Sequence, residues 1–234
     1  FSKKSMSPQS AASNIIKLKT IFNEAVDIEK IKVNPFRKVK LFTKSEQQPR
    51  LTVDEVSKLF NLDTTNYPNL EIYKDSLLFQ IYTGLSFVDF HNLKRSDIEI
   101  NKNGYFLDMS RKKSKSPMKQ YLVSQAVELI IKYENNIEVA INDSVLPKRK
   151  LGNYNPNLKI IAKLSGINKP ITTHYGRRTC TDLVENSKHI KDTVMDKMLG
   201  WVDNSNMRKH YKKVYDDNIL EGKNIFENYL NEIY

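Results

Sequence analysis

Apolar residues recur at helical spacing along nearly the whole of this 234-residue chain, and one segment, Asp97 to Ser124, breaks the rule by alternating. Within it Ile98-Glu-Ile100, Tyr105-Phe-Leu107 and Tyr121-Leu-Val123 read as short strands. Asn103-Gly104 and a basic loop, Arg111-Lys-Lys-Ser-Lys-Ser-Pro-Met-Lys119, separate them. Before the segment, helices are expected over about 53–61, 70–83 and 86–94. After it they are expected over about 125–136, 156–165, 174–187, 190–199, 205–214 and 217–233. Thr52-Val-Asp-Glu55 has the form of a capping box, in which the threonine accepts from a helix-start amide and the glutamate reaches back. No internal repeat is visible. The expected fold is mainly α with one small three-stranded antiparallel β-sheet.

The amino-terminal stretch stands apart. From Gln9 to Lys30, Ile15, Leu18, Ile21, Phe22, Ala25, Val26 and Ile28 mark one amphipathic helix. Asn34-Pro35 stops any continuation of helix beyond it, and Thr43-Lys-Ser-Glu-Gln-Gln-Pro-Arg50 is polar enough for a linker. One helix cannot bury its own apolar face, and the chain has no initiator Met. Residues 1–42 are therefore expected to be the end of a helical module that begins upstream, 43–50 a linker and 51–234 the main domain.

Charge narrows the partners. Lys and Arg number 38 against 27 Asp and Glu, a net charge of +11, which favours a polyanion such as nucleic acid. No apolar run approaches the ~18 residues that would span a bilayer. The polar start Phe1-Ser-Lys-Lys-Ser-Met-Ser-Pro8 is not expected to act as a signal peptide. A single cysteine, Cys180, excludes an internal disulfide and fits a reducing cytoplasm.

Four features can carry chemistry, and each has a bland alternative. In Thr172-Thr-His-Tyr-Gly-Arg-Arg-Thr179, Thr172 or Thr173 can cap a helix whose first turns place His174 and Arg177 on one face. Helix-start amides and a guanidinium fork together suit a phosphate, although a His and an Arg at this spacing are more often a surface pair. Met198-Leu-Gly-Trp201 reads as a helix ending in glycine before the chain's sole tryptophan, or simply as a C-cap with a buried indole. Arg208-Lys-His-Tyr-Lys-Lys213 sets Tyr211 among cations, as a nucleophilic phenol would need, yet it is one tyrosine of twelve. The basic loop holding Lys112, Lys113 and Lys115 can reach a DNA groove or stay solvated.

Their order is more specific than any one of them. Strand–Lys–strand, then His174-x-x-Arg177, then Leu199-Gly-Trp201, then Tyr211, resembles the catalytic domain of the tyrosine recombinase (integrase) family. Tyr82-Thr-Gly-Leu-Ser-Phe-Val-Asp-Phe-His-Asn-Leu-Lys-Arg-Ser-Asp-Ile98 is similar to that family's first motif, usually Thr-Gly-Leu-Arg followed by an acidic residue, Leu and Ser-Asp-Ile. Ile21-Phe-Asn, Asn34-Pro-Phe36 and Leu51-Thr-Val-Asp-Glu55 resemble the junction of core-binding and catalytic domains in integrases of Bacteroides-type mobile elements. The resemblance covers essentially the whole chain.

It implies a recombinase catalytic domain at 51–234, preceded by the end of a helical core-binding domain at 1–42. Tyr211 would attack the scissile phosphate of double-stranded DNA, giving a 3′-phosphotyrosine and a free 5′-hydroxyl, with no metal or nucleotide cofactor. Arg177 would hold the phosphate, and His174 would hydrogen-bond it or shuttle a proton. Trp201, where His is usual, would donate its indole N–H. Lys113 would protonate the leaving oxygen, with Lys112 and Lys115 as rivals, and Arg178 would add to DNA binding. The resemblance further implies homotetramers on paired sites, monomers off DNA and a cytoplasmic, nucleoid-associated location, and it admits accessory DNA-bending proteins. The last helix would dock either on a neighbour or on its own domain.

Two departures qualify the match. The family's first arginine is replaced by Ser86, and one lost transition-state donor costs about 100- to 1000-fold in rate. Either another cation fills the gap, with Lys94 and Arg95 nearest in sequence and Asp89 available to orient it, or the enzyme is impaired and survives as a DNA-binding protein. The interval from Trp201 to Tyr211 is one residue longer than is commonest, which keeps Tyr215 as a second nucleophile candidate. A type IB topoisomerase-like activity uses similar tyrosine chemistry and is the remaining alternative.

Overall fold

The computed structural model describes residues 6, 8–40, 48–201 and 213–234. The chain divides into two compact units, Phe1–Gln48 and Pro49–Tyr234. In the first, α1 (Pro8–Asp27) leads to a turn built on Asn34. The Asn34 amide donates to the Lys19 carbonyl (3.0 Å) and to Asn23 Oδ1 (2.6 Å), while its own oxygen accepts from the Phe36 amide (2.8 Å). Phe36 then packs on Phe22. Most of the expected linker lies outside the described residues.

The second unit is organised around one buried helix. After α2 (Val53–Phe60), α3 (Pro68–Thr83) runs through the core with Leu77, Phe79, Ile81 and their neighbours buried on every side. A helix buried all round has no solvent face, and α5 (Ser124–Lys132), α7 (Leu151–Leu164) and α8 (His174–Asn186) cover it. Gly176 permits the closest approach: a side-chain carbon there would lie 2.6 Å from Gln80 Cβ. Asp75, polar and buried on α3, is satisfied by Lys132 Nζ (2.7 Å) and the Tyr133 hydroxyl (2.8 Å). The short α4 (Phe87–Asn92) follows α3, and α6 (Ile137–Asn142) follows α5.

The expected capping box starts α2: Thr52 N donates to Glu55 Oε2 (2.8 Å) and Glu55 N to Thr52 Oγ1 (3.3 Å). The sheet is antiparallel, in the order β1 (Ile98–Asn101), β2 (Gly104–Ser110), β3 (Pro117–Tyr121). Phe106 faces Tyr121 and Met109 faces Met118 across its second pair. Two strands fall where the alternation put them. The third begins earlier, at Pro117, because a proline is tolerated at the first residue of a strand; the basic loop shrinks accordingly to 111–116.

Below the sheet lie α9 (Asp192–Leu199) and α10 (Asp216–Ile233), which share a core of Phe106, Tyr121, Val194, Met198 and Ile219. Helix α10 packs on its own unit, burying Ile219, Phe226 and Leu230. Its end is held by Gln125 Nε2 to Asn231 Oδ1 (2.7 Å) and by the Tyr234 ring stacked on Phe60. The helix expected over 205–214 lies almost wholly outside the described residues.

Candidate active site

Three chain turns meet at the carboxyl ends of α3 and α9. Helix α3 stops at Gly84, whose φ of 66° is left-handed and whose missing side chain leaves room for Leu199 and Cys180. Helix α9 stops in the same way at Gly200, with φ 61°. Arg177, on the second turn of α8, bridges the two: its Nη1 donates to the Gly84 carbonyl (2.5 Å) and its Nη2 to the Leu199 carbonyl (2.7 Å). These carbonyls are left over at helix ends, so one guanidinium both satisfies them and fixes its own orientation. Its other N–H groups remain available to an anion.

The other expected residues lie after Gly200, on α8, on the β2–β3 loop and before α10. Trp201 directly follows Gly200; its amide donates to the Asp196 carbonyl (2.8 Å) and its indole is half-buried against the core. His174 opens α8 and is exposed, and Arg178 is half-buried. Thr173 occupies the cap position but does not cap with its side chain, contrary to the expectation; its amide instead donates to Asn155 Oδ1 (3.1 Å). Lys112, Lys113 and Lys115 are all exposed on the β2–β3 loop, with Lys115 in a left-handed conformation, and the loop geometry favours none of them. Tyr211 lies outside the described residues. Tyr215 stands at the start of α10 with 59% of its surface exposed.

The place of the missing arginine is occupied by a small network. Ser86 caps α4, accepting from the Asp89 amide (3.3 Å) and donating to Asp89 Oδ2 (2.7 Å). Asp89, only 1% exposed, also accepts from the Lys112 amide on Oδ1 (2.8 Å). Its further partner is Arg111, whose Nε lies 3.4 Å from Oδ2. Neither residue nearest in sequence takes that position. Lys94 shares with Asp89 and Lys112 the wall of an open cleft of about 540 Å³ but forms no ion pair with the carboxylate, and Arg95 pairs with Glu134 (3.8 Å).

Arg111 is a member of this network that the sequence does not single out. It enters from the β2–β3 loop and crosses Gly200 so closely that a side-chain carbon there would meet its Cδ at 2.7 Å. Its only advance signal was its place at the head of the basic loop. Burial first, and then the charge of Arg111, bring the Arg177 guanidinium down from 12.5 to about 10. The site therefore concentrates positive charge and is suited to a phosphate. Among the described residues no group of three or more His, Cys, Asp or Glu is placed to hold a metal ion, and no helix is long and apolar enough to cross a membrane.

The model of the phage integrase family matches residues 49–218. The chain belongs to that family. Among its curated relatives, the tyrosine recombinase XerD of Listeria innocua is 28% identical over 215 residues, covering 86% of this chain and 70% of that protein. Lambda integrase, solved as a dimer bound to a COC′ core site, aligns with TM-score 0.67 at 19% identity, over 88% of this chain and 59% of that one. It has also been solved as a tetramer bound to a Holliday junction, with TM-score 0.66 at 19% identity, over 89% and 62%. The Tn1549 transposon integrase in complex with a circular intermediate DNA aligns with TM-score 0.67 at 16% identity, over 92% and 78%. The chain thus spans less than two thirds of these two lambda integrase chains, and these likenesses carry the fold of the phage integrase catalytic domain.

Proposed function

We propose that this integrase is a site-specific DNA recombinase that breaks and rejoins strands through a 3′-phosphotyrosine on Tyr211. The observation that supports the reading is Arg177, held by the Gly84 and Leu199 carbonyls at the ends of α3 and α9, each two residues before an expected site position, Ser86 and Trp201. In the reaction the Tyr211 oxygen bonds to the scissile phosphorus as the phosphorus–O5′ bond breaks. The phenolic proton leaves, and the 5′-oxygen gains one. Arg177 holds the extra negative charge of the transition state, His174 and the Trp201 N–H bond phosphate oxygens, and a lysine of the β2–β3 loop, Lys113 first, protonates the 5′-oxygen. The phosphotyrosine keeps the bond energy, so a partner strand's 5′-hydroxyl reverses the step without a nucleotide cofactor.

The substrate is double-stranded DNA, bound by the net charge of +11 and by Lys112, Lys115 and Arg178. The working unit is a homotetramer on paired sites, assembled from monomers and open to accessory DNA-bending proteins, in a bacterial cytoplasm. Residues 1–42 would serve as the end of a core-binding domain joined through 43–50 to the catalytic domain. The Ile21-Phe-Asn and Asn34-Pro-Phe36 runs support a mobile element of the Bacteroides type as its source.

Incubation with a nicked suicide duplex carrying the cognate site tests this. A covalent adduct that Tyr211→Phe abolishes is expected. DNA binding with no adduct on any cognate duplex would leave only a DNA-binding protein. Relaxation of supercoiled DNA of arbitrary sequence would point instead to a topoisomerase.

A further inference from the structure

We infer that Ser116 is a positioning residue: its hydroxyl ties the β2–β3 loop to the Gly200–Trp201 peptide, and so sets the loop lysine that protonates the leaving 5′-oxygen relative to the Trp201 donor. This rests on the recombinase reading above and adds the device that keeps two of its donors in step.

Left to itself the loop would splay. Arg111, Lys112, Lys113 and Lys115 crowd four positive charges into five residues, and like charges so close repel one another. Residues 112–115 are exposed, whereas Ser116 is only 4% exposed. Its Oγ donates to the Gly200 carbonyl at 2.7 Å, across 84 residues of chain. A hydroxyl has one hydrogen to give. The contact of Ser116 Oγ with Ser114 Oγ (2.6 Å) is therefore donated by Ser114, and the two serines form one directed relay ending on Gly200. Two further bonds close the turn, Arg111 N to the Ser116 carbonyl and Lys115 N to the Arg111 carbonyl, both 3.0 Å. On the other flank the Lys112 amide donates to Asp89 Oδ1 (2.8 Å). Lys113 thus stands between two residues that are each fixed to the body of the domain.

The carbonyl that receives the relay belongs to the same peptide unit as the Trp201 amide, which donates to the Asp196 carbonyl at 2.8 Å. That peptide is gripped at both ends, by the hairpin on one and by α9 on the other. Gly200 permits the grip, because a side-chain carbon there would meet Arg111 Cδ at 2.7 Å and Met118 Cβ at 3.0 Å. In the reaction the Trp201 N–H and the lysine act on different oxygens of one phosphorus, so a misplacement of about 1 Å between them costs on the order of 100-fold. Filling a carbonyl left over at a helix end needs Ser116 alone. The extension to Ser114, the immediate neighbour of Lys113, brings the far end of the relay to the acid.

The test compares Ser116→Ala and Ser114→Ala with the unsubstituted protein on two suicide duplexes. One has an ordinary 5′-oxygen at the scissile phosphate; in the other sulfur replaces that bridging oxygen, and the departing thiolate needs no proton. On oxygen, Ser116→Ala is expected to form adduct about 10- to 100-fold more slowly. Ser114→Ala, at an exposed position whose truncation spares the core, should lose about 3- to 10-fold. On sulfur both variants should recover to within about threefold of the unsubstituted protein, since the step they impair is no longer required. Ser116→Ala as fast as the unsubstituted protein on oxygen overturns the inference. So does an equal loss on both leaving groups, which marks a serine that serves the fold alone. If the unsubstituted protein forms no adduct on either duplex, the recombinase reading itself falls, and that outcome is distinct from the others.

Discussion

The Nη1 of Arg177 donates to the carbonyl of Gly84 at 2.5 Å, across 93 residues of chain. With the second bond to Leu199, this makes Arg177 a tie between helix ends as well as the proposed phosphate ligand. Arg177→Ala should therefore lose adduct formation and also lower stability, by about 1–3 kcal/mol for hydrogen bonds from a charged donor that leave buried acceptors unmatched. Thermal unfolding beside the adduct assay separates the two effects. An unchanged melting temperature would show that the tie contributes nothing to the fold.

Gly84 has the complementary requirement. A side-chain carbon there would lie 2.6 Å from Leu199 Cδ2 and 3.0 Å from Cys180 Sγ, on backbone at φ 66°. Gly84→Ala is expected to cost about 1–3 kcal/mol from overpacking, with further strain from the left-handed backbone. Urea unfolding measures it, and a shift of the midpoint at constant slope is the expected form.

The anchoring of α10 should depend on pH in one direction. Burial raises the Glu227 carboxyl, but hydrogen bonds from Lys223 and the Ser124 amide outweigh it and hold the group below its ordinary 4.5. The unfolded chain thus takes up this proton first as pH falls. The contribution is complete above 4.5 and is lost as pH drops through the lower folded value. Glu227→Gln should lower stability at neutral pH and flatten the acid limb of a stability–pH curve; an identical limb in the variant would count against the contact.

Cys180 lies behind Gly84, fully buried, and burial pushes its thiol up to about 12. Iodoacetamide at pH 8 should leave the native protein unlabelled and alkylate it only after unfolding. Rapid labelling of the native form would mean that the floor of the site opens.

Most of the fold was legible because α-helical periodicity, the Thr52–Glu55 box and the glycine stop at Gly200 are local signals. Local rules failed where a neighbour decided. Helix α7 begins at Leu151 although Pro156 reads as a helix start, and α6 is a six-residue helix that periodicity cannot register. Within the site, His174, Arg177 and Trp201 were findable because motif order survives in the sequence. Arg111 was not, because its partner Asp89 is brought to it only by the pairing of β2 with β3 and the packing of α4.

The central claim is the bond to Tyr211, and trypsin can isolate it, since Lys212 and Lys213 separate Tyr211 from Tyr215. The adduct trapped on a suicide duplex would be digested with nuclease and trypsin, and the nucleotide-bearing peptide identified by mass spectrometry. The account predicts the added nucleotide on Tyr211, linked through a 3′-phosphate. A nucleotide on Tyr215, or on any other residue, would contradict it.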